Sequence, residues 1–369
     1  MAAYINHIST GVPEHCYTQD FLRRRMREYV GTQEVTRRII DRIYARSGIE
    51  KRHTVVRDFH ANGNPRFFFR DDGTMERPST GARNRRYVEH ARPLYSRLAR
   101  AALEEGEADP SGITHVITVS CTGFYAPEPA FHIIRDLGLP PSTQRFHVGF
   151  MGCFAAFPAL RMARAFCEAD PGARVLVVCL ELCSLHFQGR DRTDNLISES
   201  VFADGGAAVL VEPEPRRPGP SFRLDRFRTD IADDSEGDMA WIIGDTGFDM
   251  VLSSAVPDIL REHIRAAVAP LLDGEDLSPA QASRWAVHPG GRAILDKVEQ
   301  EMGLAPEQIA ASRSVLRDYG NMSSATILFV LKRLMEEPSG GEANRGRTLA
   351  LAFGPGLTIE SALLTRVGD

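Results

Sequence analysis

The chain repeats itself. HVITVSC (115–121), FHIIRDLGLPP (131–141), a stretch opening VGFMGCFAAF (148–157), RVLVVCLE (174–181) and GAAVLVE (206–212) form one series. RWAVH (284–288), AILDKVEQEMGLAP (293–306), GNMSSATILFVLKRL (320–334), TLALAF (348–353) and TIESALL (358–364) follow in the same order. Offsets barely change: Cys121 and His288 lie 167 residues apart, Gly138 and Gly303 165, Cys153 and Asn321 168. A duplication constrains a fold more than any single motif, because each half must form the same unit and bury its apolar face against the other.

Short runs of Val, Leu and Ile that alternate with helical patterns predict buried strands in predominantly parallel sheets covered by helices. Two such halves about a pseudo-dyad predict stacked layers, with helices sandwiched between two sheets. With 369 residues, 43% hydrophobic and 25% charged, the chain has the composition of an ordinary globular protein with a large core. The halves are placed at 1–219 and 220–369.

The net charge of −5 gives no general pull toward nucleic acid or an anionic membrane, which leaves small molecules as the expected partners. MAAYINHISTGVPEHC lacks the basic start and apolar core of a signal peptide, and no run approaches the roughly 18 apolar residues of a membrane span. A cytoplasmic protein is expected. The six cysteines (Cys16, Cys121, Cys153, Cys167, Cys179, Cys183) are too sparse for a disulfide framework and form no paired C-x-x-C set, so reduced thiols and no metal are expected. Gly-rich phosphate loops and the G-x-S-x-G elbow are absent from the sequence.

Cys153 precedes an apolar helix predicted to begin near residue 154, with Pro158 in its first turns and Leu160, Ala163, Phe166 and Cys167 at helical spacing. Helix N-termini carry unpaired N–H groups and the positive end of the macrodipole, a setting that lowers a thiol pKa. Taken singly, a cysteine beside such a helix is most often a small buried hydrophobe. A lone strand-end histidine is likewise most often a satisfied core group, and an asparagine after glycine a turn residue. The duplication changes that weighting: it places Cys153 and Asn321 at equivalent helix starts and His288 at a strand end equivalent to Cys121. Cys, His and Asn together can form a thiolate nucleophile and hold a developing oxyanion.

GFMGCFAAFPALRMARAF, VFADGGAAVLV, WAVHPGGRAILDKVE, DYGNMSSATILFVL and AFGPGLTIE closely resemble the landmarks of type III polyketide synthases, the chalcone-synthase-like branch of the thiolase fold. The resemblance extends from about residue 5 to 365 and implies a duplicated, layered αβαβα fold and a homodimer. It makes Cys153 the acyl-accepting nucleophile, with His288 and Asn321 as donors to the thioester oxygen of malonyl-CoA. Acyl-CoA and malonyl-CoA are the implied substrates, with no metal or redox cofactor. Phe202 matches a gate between CoA tunnel and cavity, and Met250 stands where plant enzymes carry a second gate phenylalanine. Cys121, Glu181, His186, Trp241 and Ser323 fall at cavity positions. Arg42 and Arg46, spaced i, i+4, match the contacts to CoA phosphates.

The wording SCTGFYAPEP and GFMGC looks most like bacterial members that build alkylresorcinols or alkylpyrones on fatty acyl starters. A naphthalene formed from malonyl units alone and an initiating ketoacyl-ACP synthase are the alternatives. A papain-like hydrolase shares the order Cys, His, Asn, but its cysteine lies near the mature N-terminus. A non-catalytic thiolase-like subunit is expected to have lost part of the triad.

Overall fold

The computed structural model describes residues 2–58, 66–70, 74–216, 218–233, 235–253, 255–275, 278–337 and 346–368. The first half contributes strands β1 (Tyr4–Gly11), β2 (His15–Thr18), β3 (Lys51–Thr54), β4 (His115–Ser120), β5 (Gln144–Gly149), β6 (Val175–Leu182) and β7 (Asp204–Glu212). Its helices are α1 (Gln19–Tyr29), α2 (Glu34–Arg46), α3 (Thr80–Glu105), α4 (Pro129–Leu137), α5 (Ala156–Ala169) and α6 (Thr193–Val201). The second half contributes β8 (Ser221–Ile231), β9 (Met239–Gly244), β10 (Gly247–Leu252), β11 (Arg284–Val287), β12 (Arg347–Gly354) and β13 (Thr358–Val367). Its helices are α7 (Val256–Val268), α8 (Arg292–Met302), α9 (Ala310–Tyr319) and α10 (Thr326–Glu336).

Strand alternation builds the layers. Along β6, Val175, Val177 and Cys179 face a core shared with α5 and α10, whereas Leu176, Val178 and Leu180 face the core under α3 and α4. In β12, Ala350 and Ala352 enter the same shared core, while Leu349, Leu351 and Phe353 pack toward α7 and α8. The middle layer is therefore α5 with α10, and the order is the layered αβαβα arrangement of the thiolase fold. Helix α5 presents Ala156, Ala159 and Ala163 inward, small side chains that let both sheets approach it.

Sheet polarity differs from the expectation. The pairs β4–β5, β4–β6 and β11–β12 are parallel, but β6–β7, β1–β7, β12–β13, β8–β13 and β1–β8 are antiparallel. A strand covered on both faces is apolar throughout whichever way its neighbour runs, so composition could not distinguish the two. Nor are the sheets separate: Tyr4–Arg223 and Ile5–Phe222 pair across β1 and β8, joining them in the order β11-β12-β13-β8-β1-β7-β6-β4-β5. The repeated glycines have a local cause. Gly138 (φ 68°) and Gly303 (φ 64°) end α4 and α8 in the left-handed conformation, where a side chain would be strained. Among the described residues no helix is long and apolar enough to cross a membrane.

Candidate active site

Cys153, His288 and Asn321 line one cavity of about 410 Å³. Each reaches it from the end of an element. Cys153 follows edge strand β5 through Phe150, whose φ of 60° is unusual for a residue with a side chain. The next glycine is required: Gly152 has φ +83°, and a Cβ there would stand 2.4 Å from Cδ of Pro355. The turn bearing the thiol is thus pressed against the loop 354–357. Phe150, Ser323 (φ 48°) and Leu357 (φ 43°) place strained backbone on all three loops around the site.

Asn321 is held in a defined orientation. Its Oδ1 accepts from the Ser323 N–H (2.8 Å) and its Nδ2 donates to the Gly290 carbonyl (3.3 Å), which leaves the amide 4.0 Å from Cys153 Sγ. Its backbone N–H donates to the Val201 carbonyl (2.8 Å), and its carbonyl accepts from Ala203 N–H (2.8 Å). Gly320, at φ +73°, allows that approach, since a Cβ would lie 2.9 Å from the Val201 carbonyl oxygen. His288 is anchored through its backbone N–H to the Leu351 carbonyl (2.7 Å), yet neither ring nitrogen has a hydrogen-bond partner among the described residues. Both nitrogens of this buried imidazole are thus free of protein partners among the described residues and face the cavity's other lining groups.

Burial sets the protonation states. It pushes the Cys153 thiol up to about 11 and the His288 imidazole down to about 3. Both directions favour a neutral thiol beside a neutral imidazole over the expected thiolate–imidazolium pair, and no hydrogen bond joins the two side chains. The helix contributes less than expected because α5 begins at Ala156, three residues after the thiol. Between them the Ala155 N–H is in use, donating to the Gly152 carbonyl, and in the first turn Phe157 donates to that of Phe154.

Behind the thiol sits a buried carboxylate. Glu181 interrupts the apolar strand β6 and accepts from Ser120 Oγ (3.2 Å), Cys121 N–H (3.0 Å), Thr122 Oγ1 (2.8 Å) and Ser324 Oγ (2.5 Å). Burial raises its pKa against the pull of those donors. Cys121 Sγ lies 3.3 Å from Ser323 Oγ, so Glu181, Cys121, Ser323 and Ser324 bind the two half-repeats together beneath the site.

The chalcone and stilbene synthase N-terminal domain matches residues 2–215, and the C-terminal domain of the same family matches residues 226–368. The chain belongs to this family. It is a type III polyketide synthase, an acyltransferase-type enzyme. Its fold superposes on PKS-I from the brown alga Ectocarpus siliculosus with a TM-score of 0.92 and 30% identity, covering 99% of this chain and 98% of that one. The C-terminal type III polyketide synthase domain of Steely1, a type I/III hybrid from Dictyostelium, gives 0.91 and 28% over 100% of both chains. A type III pentaketide synthase from Neurospora crassa gives 0.86 and 26% over 99% of this chain and 100% of that one.

In this synthase Phe202 stands at the C-terminal end of α6 and lines the cavity, as do Met250, Cys121, His186, Trp241, Ser323 and Arg46. Met250 and Trp241 are direct cross-strand partners in the β9–β10 hairpin, a pairing the sequence did not disclose. His186 is fully engaged: Phe248 N–H donates to Nδ1 (3.1 Å), so Nε2–H donates to the Thr122 carbonyl (2.7 Å). Burial lowers its pKa to about 3. Glu181 stands behind the lining. Arg42 is exposed on α2 and does not line the cavity, in contrast to Arg46 one turn later.

Two residues escaped sequence reasoning. Arg52, buried, donates to Gln19 Oε1 and to the carbonyls of Glu199 and Phe202, fixing the segment that carries Phe202. Arg292, beside HPGG, lines the cavity mouth. Arg52 gave no signal, since a basic residue in EKRHT reads as exposed.

Proposed function

We propose that Cys153 accepts an acyl group, with a fatty acyl-CoA as starter, and that decarboxylative condensation with malonyl-CoA extends it to an alkylpyrone or alkylresorcinol. The observation that carries this reading is the convergence of Cys153, Asn321 and an unengaged His288 on one cavity. His288 takes the thiol proton as the sulfur attacks the starter carbonyl; the new C–S bond forms, the bond to CoA sulfur breaks, and CoA leaves as a thiol with that proton. Malonyl-CoA then loses carbon dioxide. Its thioester oxygen, now an enolate, receives hydrogen bonds from His288 and Asn321 Nδ2 while its carbon attacks the Cys153 thioester and releases the sulfur. A protein donor pair suffices for this chemistry without a metal or redox cofactor.

The reading assigns the nucleophile to residues 1–219 and both donors to 220–369. It includes Phe202 and Met250 as the gate and Arg46, with Arg42 beyond it, as cations for CoA phosphates. It also includes a cytoplasmic location and a homodimer; the outer edge of β5 and the exposed Met151 just beyond it support the dimer. The test is to incubate the protein with malonyl-CoA and acyl-CoAs of graded length and identify products by mass. Fatty acyl starters should give alkyl products. Use of malonyl-CoA alone, or of an aromatic starter alone, removes the alkyl assignment, and turnover of malonyl-ACP in preference to malonyl-CoA points to the ketoacyl synthase reading.

A further inference from the structure

The closing carbonyls of α6 are satisfied mainly from outside the helix, and one side chain organises most of them. Arg52 of β3 donates from Nη1 to the Glu199 carbonyl (2.8 Å) and to the Phe202 carbonyl (2.5 Å), and from Nε to Gln19 Oε1 (3.0 Å). Gln19, oriented by that bond, donates from Nε2 to the Ser200 carbonyl (2.7 Å). The carbonyl next in line, that of Val201, accepts from the Asn321 N–H, and only the Ser198 carbonyl is closed from within, by the Phe202 N–H (3.0 Å). One guanidinium therefore holds, directly or through Gln19, every carbonyl around the one given to Asn321.

Arg52 also meets the Asn321 segment from a second side. A Cβ on Gly320 would stand 2.9 Å from Cγ and 3.0 Å from Cδ of Arg52, and Phe202 and Asn321 are themselves joined by a parallel backbone bridge. Although Arg52 borders the cavity, its side chain is buried and forms no ion pair with a carboxylate among the described residues. A buried cation without such a partner is costly; at a helix C-terminus its favourable partners are the carbonyls and the negative end of the macrodipole. A neutral side chain could fill this space at lower cost. It could not hold two carbonyls and an amide with one rigid planar group.

We infer that Arg52 is a positioning residue for condensation: by fixing the end of α6 it keeps the Asn321 amide and the Phe202 ring in one defined relation at the cavity. Acylation of Cys153 does not pass through this unit, because the thiol is carried by a separate turn pressed against the loop 354–357. The inference rests on the donor role of Asn321 proposed above.

The experiment compares wild type, Arg52→Met, Arg52→Lys, Asn321→Ala and the double variant Arg52→Met/Asn321→Ala, each given the starter that wild type uses best in the graded series above. Two rates are read on each: acylation of Cys153 by intact mass before malonyl-CoA is added, and condensation by product mass after it. Arg52→Met should lower condensation by about tenfold to 10²-fold, the scale of a misplacement near 1 Å, with acylation held to within about twofold. Arg52→Lys, which keeps the charge and loses the fork, should fall between Arg52→Met and wild type. In the Asn321→Ala background the loss of Arg52 should cost nothing further, because residues that act as one unit are not additive. Equal loss of acylation and condensation in Arg52→Met overturns the inference, as does a further drop of about tenfold in the double variant, since either is the mark of a general structural role. If Arg52→Met does not fold, Arg52→Lys is read in the same way, alone and with Asn321→Ala. Unchanged condensation in Asn321→Ala removes the donor reading of the site and this inference with it; a slow Asn321→Ala beside a full-speed Arg52→Met removes Arg52 alone.

Discussion

The two halves use one strand order for different chemistry. In the first half β4, β6, β7 and β1 are neighbours in that order; in the second, β11, β12, β13 and β8 repeat it. The halves part where the chain turns toward the site. The first half inserts edge strand β5 and delivers Cys153 half-buried, whereas the second inserts helix α9 and delivers Asn321 buried, clamped on both sides of its peptide by Val201 and Ala203. The strand ends differ too. Cys121 is tied to Ser323, while its counterpart His288 has both ring nitrogens unengaged. Equivalent backbone positions thus carry one bound group and one available group, and the available groups are those assigned to the chemistry.

Removing the donor of the second half is the severest way to break this division. Asn321→Ala should lower condensation by about 10²–10³-fold, the usual cost of losing one oxyanion donor, while starter loading on Cys153 persists by intact mass. Equal loss of loading and condensation would assign Asn321 to the framework instead, through its bonds to Ser323 and Gly290.

A smaller effect sharpens the comparison of thiol with imidazole. The value of about 11 for Cys153 reflects burial first, with lesser contributions from Ser323, Glu181 and Asn321 and none from His288. It is therefore the behaviour expected without an imidazolium partner. Iodoacetamide alkylation depends on the thiolate, whose fraction rises as pH climbs through the thiol pKa. Wild type should give a rate still climbing toward pH 11, and His288→Ala the same profile, because a neutral imidazole leaves the resting thiol where burial sets it. A wild-type profile displaced to lower pH than that of His288→Ala would show that the resting pair is ionised.

Much of this was legible before any coordinates. Repeat order, the layered fold and the convergence of Cys153, His288 and Asn321 follow from the duplication, because equivalent element ends must meet near a pseudo-dyad. Glu181 was placed at the cavity by resemblance, and burial behind Cys121 takes it out of the lining. Strand direction was not legible, since burial on both faces erases its signature. The start of α5 was read two residues early, and Phe154 and Ala155 separate Cys153 from the helix, with the Ala155 N–H bonded to the Gly152 carbonyl. Arg42 and Arg46 share a helix face by spacing, but the cavity meets α2 only at its C-terminal end. The Trp241–Met250 pairing depended on the register of a hairpin whose turn, Asp245–Thr246, carries no strong type I′ signal.

The central claim is that the first half supplies its nucleophile from Cys153 and not from the cavity's other thiols, Cys121 and Cys183. Incubating wild type, Cys153→Ala and Cys121→Ala with a fatty acyl-CoA, then locating the adduct by peptide mass mapping, tests it most directly. The account predicts one acyl group on Cys153 in wild type and Cys121→Ala, and none in Cys153→Ala. An adduct on Cys121 or Cys183, or acylation and product surviving in Cys153→Ala, would contradict it.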